Sequence, residues 1–150
     1  MIIMKAKVGI LRETKTPPDR RVAVTPLLAF EMKKKFPDVE LKVQESDLRC
    51  FSDKEYTDSG INVYEDISDC DILIGVKEVN IPVLIEGKTY LFFSHIAKKQ
   101  PYNRELLREI IKKKITLIDY EYLTDENNLR LVAFGHWAGI VGAYNGLLAW

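Results

Sequence analysis

The chain has 150 residues, 47% of them hydrophobic, with 22 Lys and Arg balanced by 22 Asp and Glu. That length and composition describe a globular chain able to bury roughly two thirds of the surface its unfolded form exposes. The zero net charge excludes a dedicated nucleic-acid binder, which needs excess cations to displace counterions.

The basic runs at 33–35, 98–99 and 112–114 read as solvated helix faces, offset by acidic residues elsewhere. No apolar run is long enough to span a membrane, and the first residues lack the features of a secretory signal. Cys50 and Cys70 sit at no metal-ligand or disulfide spacing, which predicts a reduced, cytoplasmic setting.

In chain order, 8–11 is a short apolar run that suits a buried strand, followed by a polar loop over 12–21. Thr25-Pro26 predicts a helix start, with Thr as cap and Pro at the first helical position, running to about Lys35 and ending before Pro37. Alternation over 39–44 predicts a strand. Residues 53–59 predict a short helix capped by Ser52 and stopped by Gly60. Further buried strands are predicted at 71–76, 89–93 and 115–118. Residues 103–114 carry Leu106, Leu107, Ile110 and Ile111 at amphipathic helical spacing.

Strands alternating with helices predict an α/β fold: a mostly parallel open sheet with helices on both faces, Rossmann- or flavodoxin-like in its three layers. Residues 135–150 are apolar nearly all round, with glycines at 135, 139, 142 and 146. A helix of that kind wants protein on every side. The expectation is therefore a polypeptide that continues, or packing of this segment in a homo-oligomer.

Sites in open parallel sheets form at the carboxyl ends of strands. Arg12, Lys77, His95 and Glu121 fall at or just after predicted strand ends, and Arg21 in the loop after the first. Lys77 is either a desolvated base or a lysine leaving the sheet for solvent. His95 is either a proton-exchanging group or a hydrogen-bonded structural histidine. Arg21 is either a carboxylate clamp or half of a surface ion pair. Glu78 and Glu121 either tune the lysine and bind an ammonium group or supply ordinary strand-end polarity. His95, His136 and the two cysteines make no convincing metal set. Ser94 beside His95 carries no nucleophile-elbow motif. Neither a Gly-x-Gly-x-x-Gly fingerprint nor a P-loop occurs, so no cofactor-binding residues are expected in this chain.

Glu13-Thr14-Lys15, then Arg21-Val22-Ala23-Val24-Thr25-Pro26, Gly75-Val76-Lys77-Glu78 and Tyr90-Leu91-Phe92-Phe93-Ser94-His95 appear in that order. This ordered set resembles the N-terminal domain of the alanine dehydrogenase and transhydrogenase alpha-subunit family. Leu117-Ile118-Asp119-Tyr120-Glu121 and the segment from Arg130 to Gly139 resemble its lysine-forming saccharopine dehydrogenase and lysine–ketoglutarate reductase branch. Pro17-Pro18-Asp19-Arg20 departs from the loops of that family.

The resemblance implies a substrate-side catalytic domain over 1–134. Residues 135–150 would begin a helix connecting it to a Rossmann domain that binds NAD or NADP. It implies an oxidoreductase of lysine metabolism whose small-molecule substrates are lysine, 2-oxoglutarate and saccharopine. Lys77 and His95 would exchange protons, Arg21 and Arg130 would bind substrate carboxylates, and Glu78 and Glu121 would set charge or receive the amino group. Another amino acid on the same scaffold, or a stand-alone ligand-binding domain, are the competing expectations.

Overall fold

The computed structural model describes residues 5–150. The backbone forms two compact units, the first running through Asp119 and the second covering Tyr120–Trp150. The first unit is built on β1 (Ala6–Ile10), β2 (Val39–Gln44), β3 (Val63–Tyr64), β4 (Ile72–Lys77), β5 (Thr89–Phe93) and β6 (Thr116–Asp119). All neighbours pair in parallel, in the order β3-β2-β1-β4-β5-β6. The chain winds outward in one direction from β1 and in the other from β4. The boundary between β1 and β4 is thus the switch point, where open parallel sheets gather their ligands.

The connecting helices begin where local chemistry satisfies their first amides. In α1 (Pro26–Lys35) the Thr25 hydroxyl accepts from Leu28 N at 3.3 Å, and Pro26 occupies the first turn. In α2 (Asp53–Asp58) Ser52 and Glu55 form a reciprocal capping box, and Gly60 at φ +78° turns the chain away. The third helix, α3 (Arg104–Lys112), buries Leu106 and Ile110 but leaves Leu107 and Ile111 exposed. Only half of its predicted apolar positions therefore meet the sheet.

Two cores result. Ile10, Val43, Ala29, Tyr56 and Ile61 pack under α1 and α2. Leu73, Tyr90, Phe92, Leu106 and Ile110 pack under α3. Side chains alternate across a strand, so adjacent residues report opposite faces. Ile10 belongs to the first core, whereas a side chain at Gly9 would meet Ile67 and Leu73 of the second at 2.9 Å. The two cores lie on opposite faces of the sheet, giving the three-layer α/β architecture expected. The two-residue β3 and the 3₁₀ turns at Ile81–Val83, Ile96–Lys98 and Pro101–Asn103 carry too little periodicity to be read from sequence.

In the second unit, α4 (Gly135–Ala149) buries none of its residues, and Trp137, Tyr144, Leu147 and Leu148 are each more than half exposed. No helix among the described residues is long and apolar enough to cross a membrane.

Candidate active site

The three residues that follow Arg12 lace the end of β1 onto the end of β4. Glu13 Oε1 accepts from Val76 N at 2.6 Å and Oε2 from Lys77 N at 2.9 Å. Thr14 Oγ1 accepts from Asn80 N at 3.1 Å, and Asn80 Nδ2 donates to the Thr14 carbonyl at 2.6 Å. Lys15 pairs with Glu78. Three consecutive side chains thus fix residues 76–80, immediately beyond the switch point.

Lys77 is half-buried at the last position of β4. Its Cα partner across the ladder is Phe93, two residues before His95, so the two strand ends stand side by side. The Glu78 carboxylate spends Oε1 on Lys15, while Oε2 is buried without a hydrogen-bond partner. A buried, unsatisfied carboxylate oxygen is costly and suits a cationic ligand group.

Arg21 and Asp19 form the next layer. The guanidinium donates from Nε to Oδ1 at 2.9 Å and from Nη2 to Oδ2 at 2.5 Å. Its hydrogen bonds hold the Asp19 carboxyl down at about 2, and Lys77 contributes in the same direction through space. The Asp19 carboxylate in turn raises the pKa of Arg21. Glu13 behaves oppositely: burial pushes its carboxyl up, and the two backbone donors pull it back only in part. The Asp19 carboxyl feels the charges of Arg21 and Lys77, and that of Glu13 feels Asp19 and Arg21. One edge of the Arg21 fork is committed to Asp19.

His95, two residues beyond β5, has φ +54°, a left-handed conformation unusual for a residue with a side chain. Its carbonyl accepts from Asn103 Nδ2 at 3.0 Å. The preceding Ser94 donates to Asp119 Oδ2 at 2.5 Å and accepts from Ile96 N at 3.2 Å. The imidazole stacks on Phe93, with Lys98 Nζ 3.0 Å from Nδ1. A groove of about 370 Å³ opens beside this turn, lined in part by Ile96, Lys99, Asn103 and Arg104. Its two cations suit a carboxylate.

Of the residues singled out by sequence, the fold gathers Lys77, Glu78, His95 and Arg21 at the carboxyl ends of β1, β4 and β5 and in the loop after β1. Arg12 is exposed and donates its backbone N–H to Gln44 Oε1 at 3.2 Å. Glu121 and Arg130 belong to the second unit, where they form an ion pair at 3.6 Å. Sequence reasoning missed Glu13, Asp19, Asn103 and Asp119 as supporting groups. The Glu13-Thr14-Lys15 motif was the available signal for the first, and the place of Asp19 two residues before Arg21 was a signal for the second; Asn103 reaches back eight residues to His95 and Asp119 reaches 25 to Ser94, neither at a spacing that sequence marks.

Among the described residues, the end of β1 does not have the form of a glycine-rich dinucleotide cradle. β1 leads into a long loop rather than a glycine-rich turn into a helix, and its end is filled by Glu13, Thr14 and Lys15. Among the described residues there is also no group of His, Cys, Asp and Glu able to hold a metal.

The alanine dehydrogenase/PNT N-terminal domain model matches residues 9–141. Mitochondrial alpha-aminoadipic semialdehyde synthase of Rattus norvegicus is 46% identical over 103 residues, covering 69% of this chain and 11% of that protein. Saccharopine dehydrogenase [NAD(+), L-lysine-forming] of Yarrowia lipolytica is 32% identical over 96% of this chain and 40% of that protein. The chain therefore spans less than half the length of either relative. Among solved structures, an L-alanine dehydrogenase superposes with a TM-score of 0.68 at 19% identity, over 82% of this chain and 34% of the other. A transhydrogenase from Sinorhizobium meliloti superposes at 0.63 and 18% identity, over 80% of this chain and 36% of the other. These two share the fold. The family model, which covers most of the sequence, shows that the chain belongs to the alanine dehydrogenase/PNT N-terminal domain family.

Proposed function

We propose that this chain is the substrate-side catalytic part of an NAD(P)-dependent oxidoreductase that interconverts saccharopine with lysine and 2-oxoglutarate. The observation that carries the reading is the pairing of the Lys77 and His95 strand ends beside the buried, unpartnered Glu78 Oε2. Its resemblance to alpha-aminoadipic semialdehyde synthase and to lysine-forming saccharopine dehydrogenase supports the substrate class.

The chemistry asks for two proton movements. The ε-ammonium of lysine must lose a proton before its nitrogen adds to the ketone carbon of 2-oxoglutarate. Lys77 takes that proton as a neutral amine. The resulting carbinolamine then loses its hydroxyl as water, which requires a proton at that oxygen. His95 as imidazolium supplies it, leaving a protonated imine between the two substrates, which hydride reduces to the secondary amine. General acid–base steps of this kind are worth about 10²–10⁴ in rate. The hydride belongs to a reduced nicotinamide, NAD(P)H, held outside these residues.

Glu78 Oε2 offers a carboxylate to the substrate ammonium. Arg21, with Lys99 and Arg104 in the groove beyond His95, offers cations to the carboxylates.

The test uses the full-length protein. Oxidation of NADH or NADPH should require lysine and 2-oxoglutarate together, and Lys77→Met and His95→Gln should each lower kcat by about 100-fold or more. Turnover with pyruvate and ammonia instead, or unchanged kcat in both variants, would refute the assignment.

A further inference from the structure

Successive N–H groups of a regular β-strand face opposite edges. One acceptor cannot then take two in a row. Glu13 does: its two oxygens receive the amides of Val76 and Lys77 at 2.6 and 2.9 Å. The explanation lies in the β4–β5 ladder. Between the pairs Ile74↔Leu91 and Lys77↔Phe93, β4 advances three residues while β5 advances two. The extra residue is a bulge, which rotates one amide to the side of its neighbour.

Gly75 sits inside this bulge. A Cβ there would lie 3.3 Å from Glu13 Oε1, tighter than ordinary contact. The carboxylate itself is mostly withdrawn from water, and burial pushes its pKa up. A charge is thus held in a poorly solvated place to bind two main-chain donors, the second belonging to Lys77. Bulges beside functional sites commonly re-aim a side chain.

We propose that Glu13 is a positioning residue for Lys77: its carboxylate holds the bulge at the end of β4 and so sets the direction of the Lys77 side chain. This rests on the reading of Lys77 as a proton-transfer group. Glu13 touches the backbone of Lys77 and acts through it.

The experiment compares Glu13→Gln and Gly75→Ala in the full-length protein. The glutamine keeps the shape but turns an NH₂ toward one of the two amides. The alanine keeps every charge and crowds the carboxylate, so it probes the same contact should the glutamine variant fold poorly.

Two readouts report placement without any turnover. Hydrogen exchange at the Val76 and Lys77 amides should accelerate about tenfold in each variant, with Leu73 and Ile74 unchanged. The rate of Lys77 acylation by acetic anhydride, read by peptide mass spectrometry, should rise about threefold. The third readout is kinetic: kcat should fall about tenfold, with KM for lysine and 2-oxoglutarate moving less than threefold.

Unchanged exchange and acylation would overturn the proposal. So would faster exchange with an unaltered kcat, which would make Glu13 a structural staple only. If the unmodified protein shows no turnover with lysine and 2-oxoglutarate, the functional assignment fails by itself. The clamp then stands or falls on exchange and acylation.

Discussion

Ser94 donates its hydroxyl to the carboxylate of Asp119 at 2.5 Å, tying the end of β5 to the end of β6. The same oxygen accepts the amide of Ile96, so the hydroxyl closes the turn that holds His95 between them. Ser94 is buried at 1% exposure, and its bond to a carboxylate is of the stronger, charge-assisted kind. Ser94→Ala should cost about 1.5–3 kcal/mol in a urea titration. A loss under about 0.5 kcal/mol would show that the turn is held without it.

The left-handed backbone of His95 allows fold and chemistry to be separated. Glycine adopts φ +54° without the Cβ penalty, which offsets its greater unfolded-state entropy. His95→Gly should therefore shift stability by less than about 1 kcal/mol. Turnover should fall sharply and recover in part on adding free imidazole. A variant that melts early, or that keeps full activity, contradicts the role assigned to the ring.

The Asp19–Arg21 pair gives a pH signature. The Arg21 hydrogen bonds lower the Asp19 carboxyl from 3.8 to about 2. A carboxyl lowered on folding stabilises the native state above its unfolded value, and that contribution is lost as pH falls from about 4 toward 2. An NMR titration should place the Asp19 midpoint near 2, and Arg21→Gln should return it toward 3.8. A midpoint already near 4 in the unmodified protein would mean the pair is not formed in solution.

Arg49 is a buried cation in the loop between β2 and α2. Arg49 donates to the Gln44 carbonyl at 2.6 Å and the Phe51 carbonyl at 2.8 Å, pairs with Asp53, and lies 4.5 Å over the Tyr56 ring. Arg49→Ala removes a mostly buried partner and should destabilise by about 3 kcal/mol. Asp53→Asn should cost less than half as much, because the Asp53 side chain is 35% exposed and water compensates it. Equal losses, measured by denaturant titration, would show the ion pair rather than the backbone bonds of Arg49 to dominate.

The sequence by itself determined the parts governed by short-range rules. The strand at 39–44 ends where apolar alternation ends, and that at 89–93 where its apolar run ends. Helix starts at Thr25 and Ser52 follow from side chains that satisfy the amide three residues on. The parallel sheet follows from strands alternating with helices, and with it the placing of Lys77 and His95 at strand ends.

Only the tertiary structure decided what acts on those side chains. The bond from Glu13 to the Lys77 amide joins residues 64 positions apart, and Ser94 meets Asp119 across 25. Neither separation leaves a periodic trace. The bulge that aims Lys77 arises from a register mismatch between two strands, a property of the pair that neither strand's residues encode alone. Likewise, Leu107 and Ile111 have helical spacing as good as that of Leu106 and Ile110, and only the docking angle of α3 decides which pair is buried.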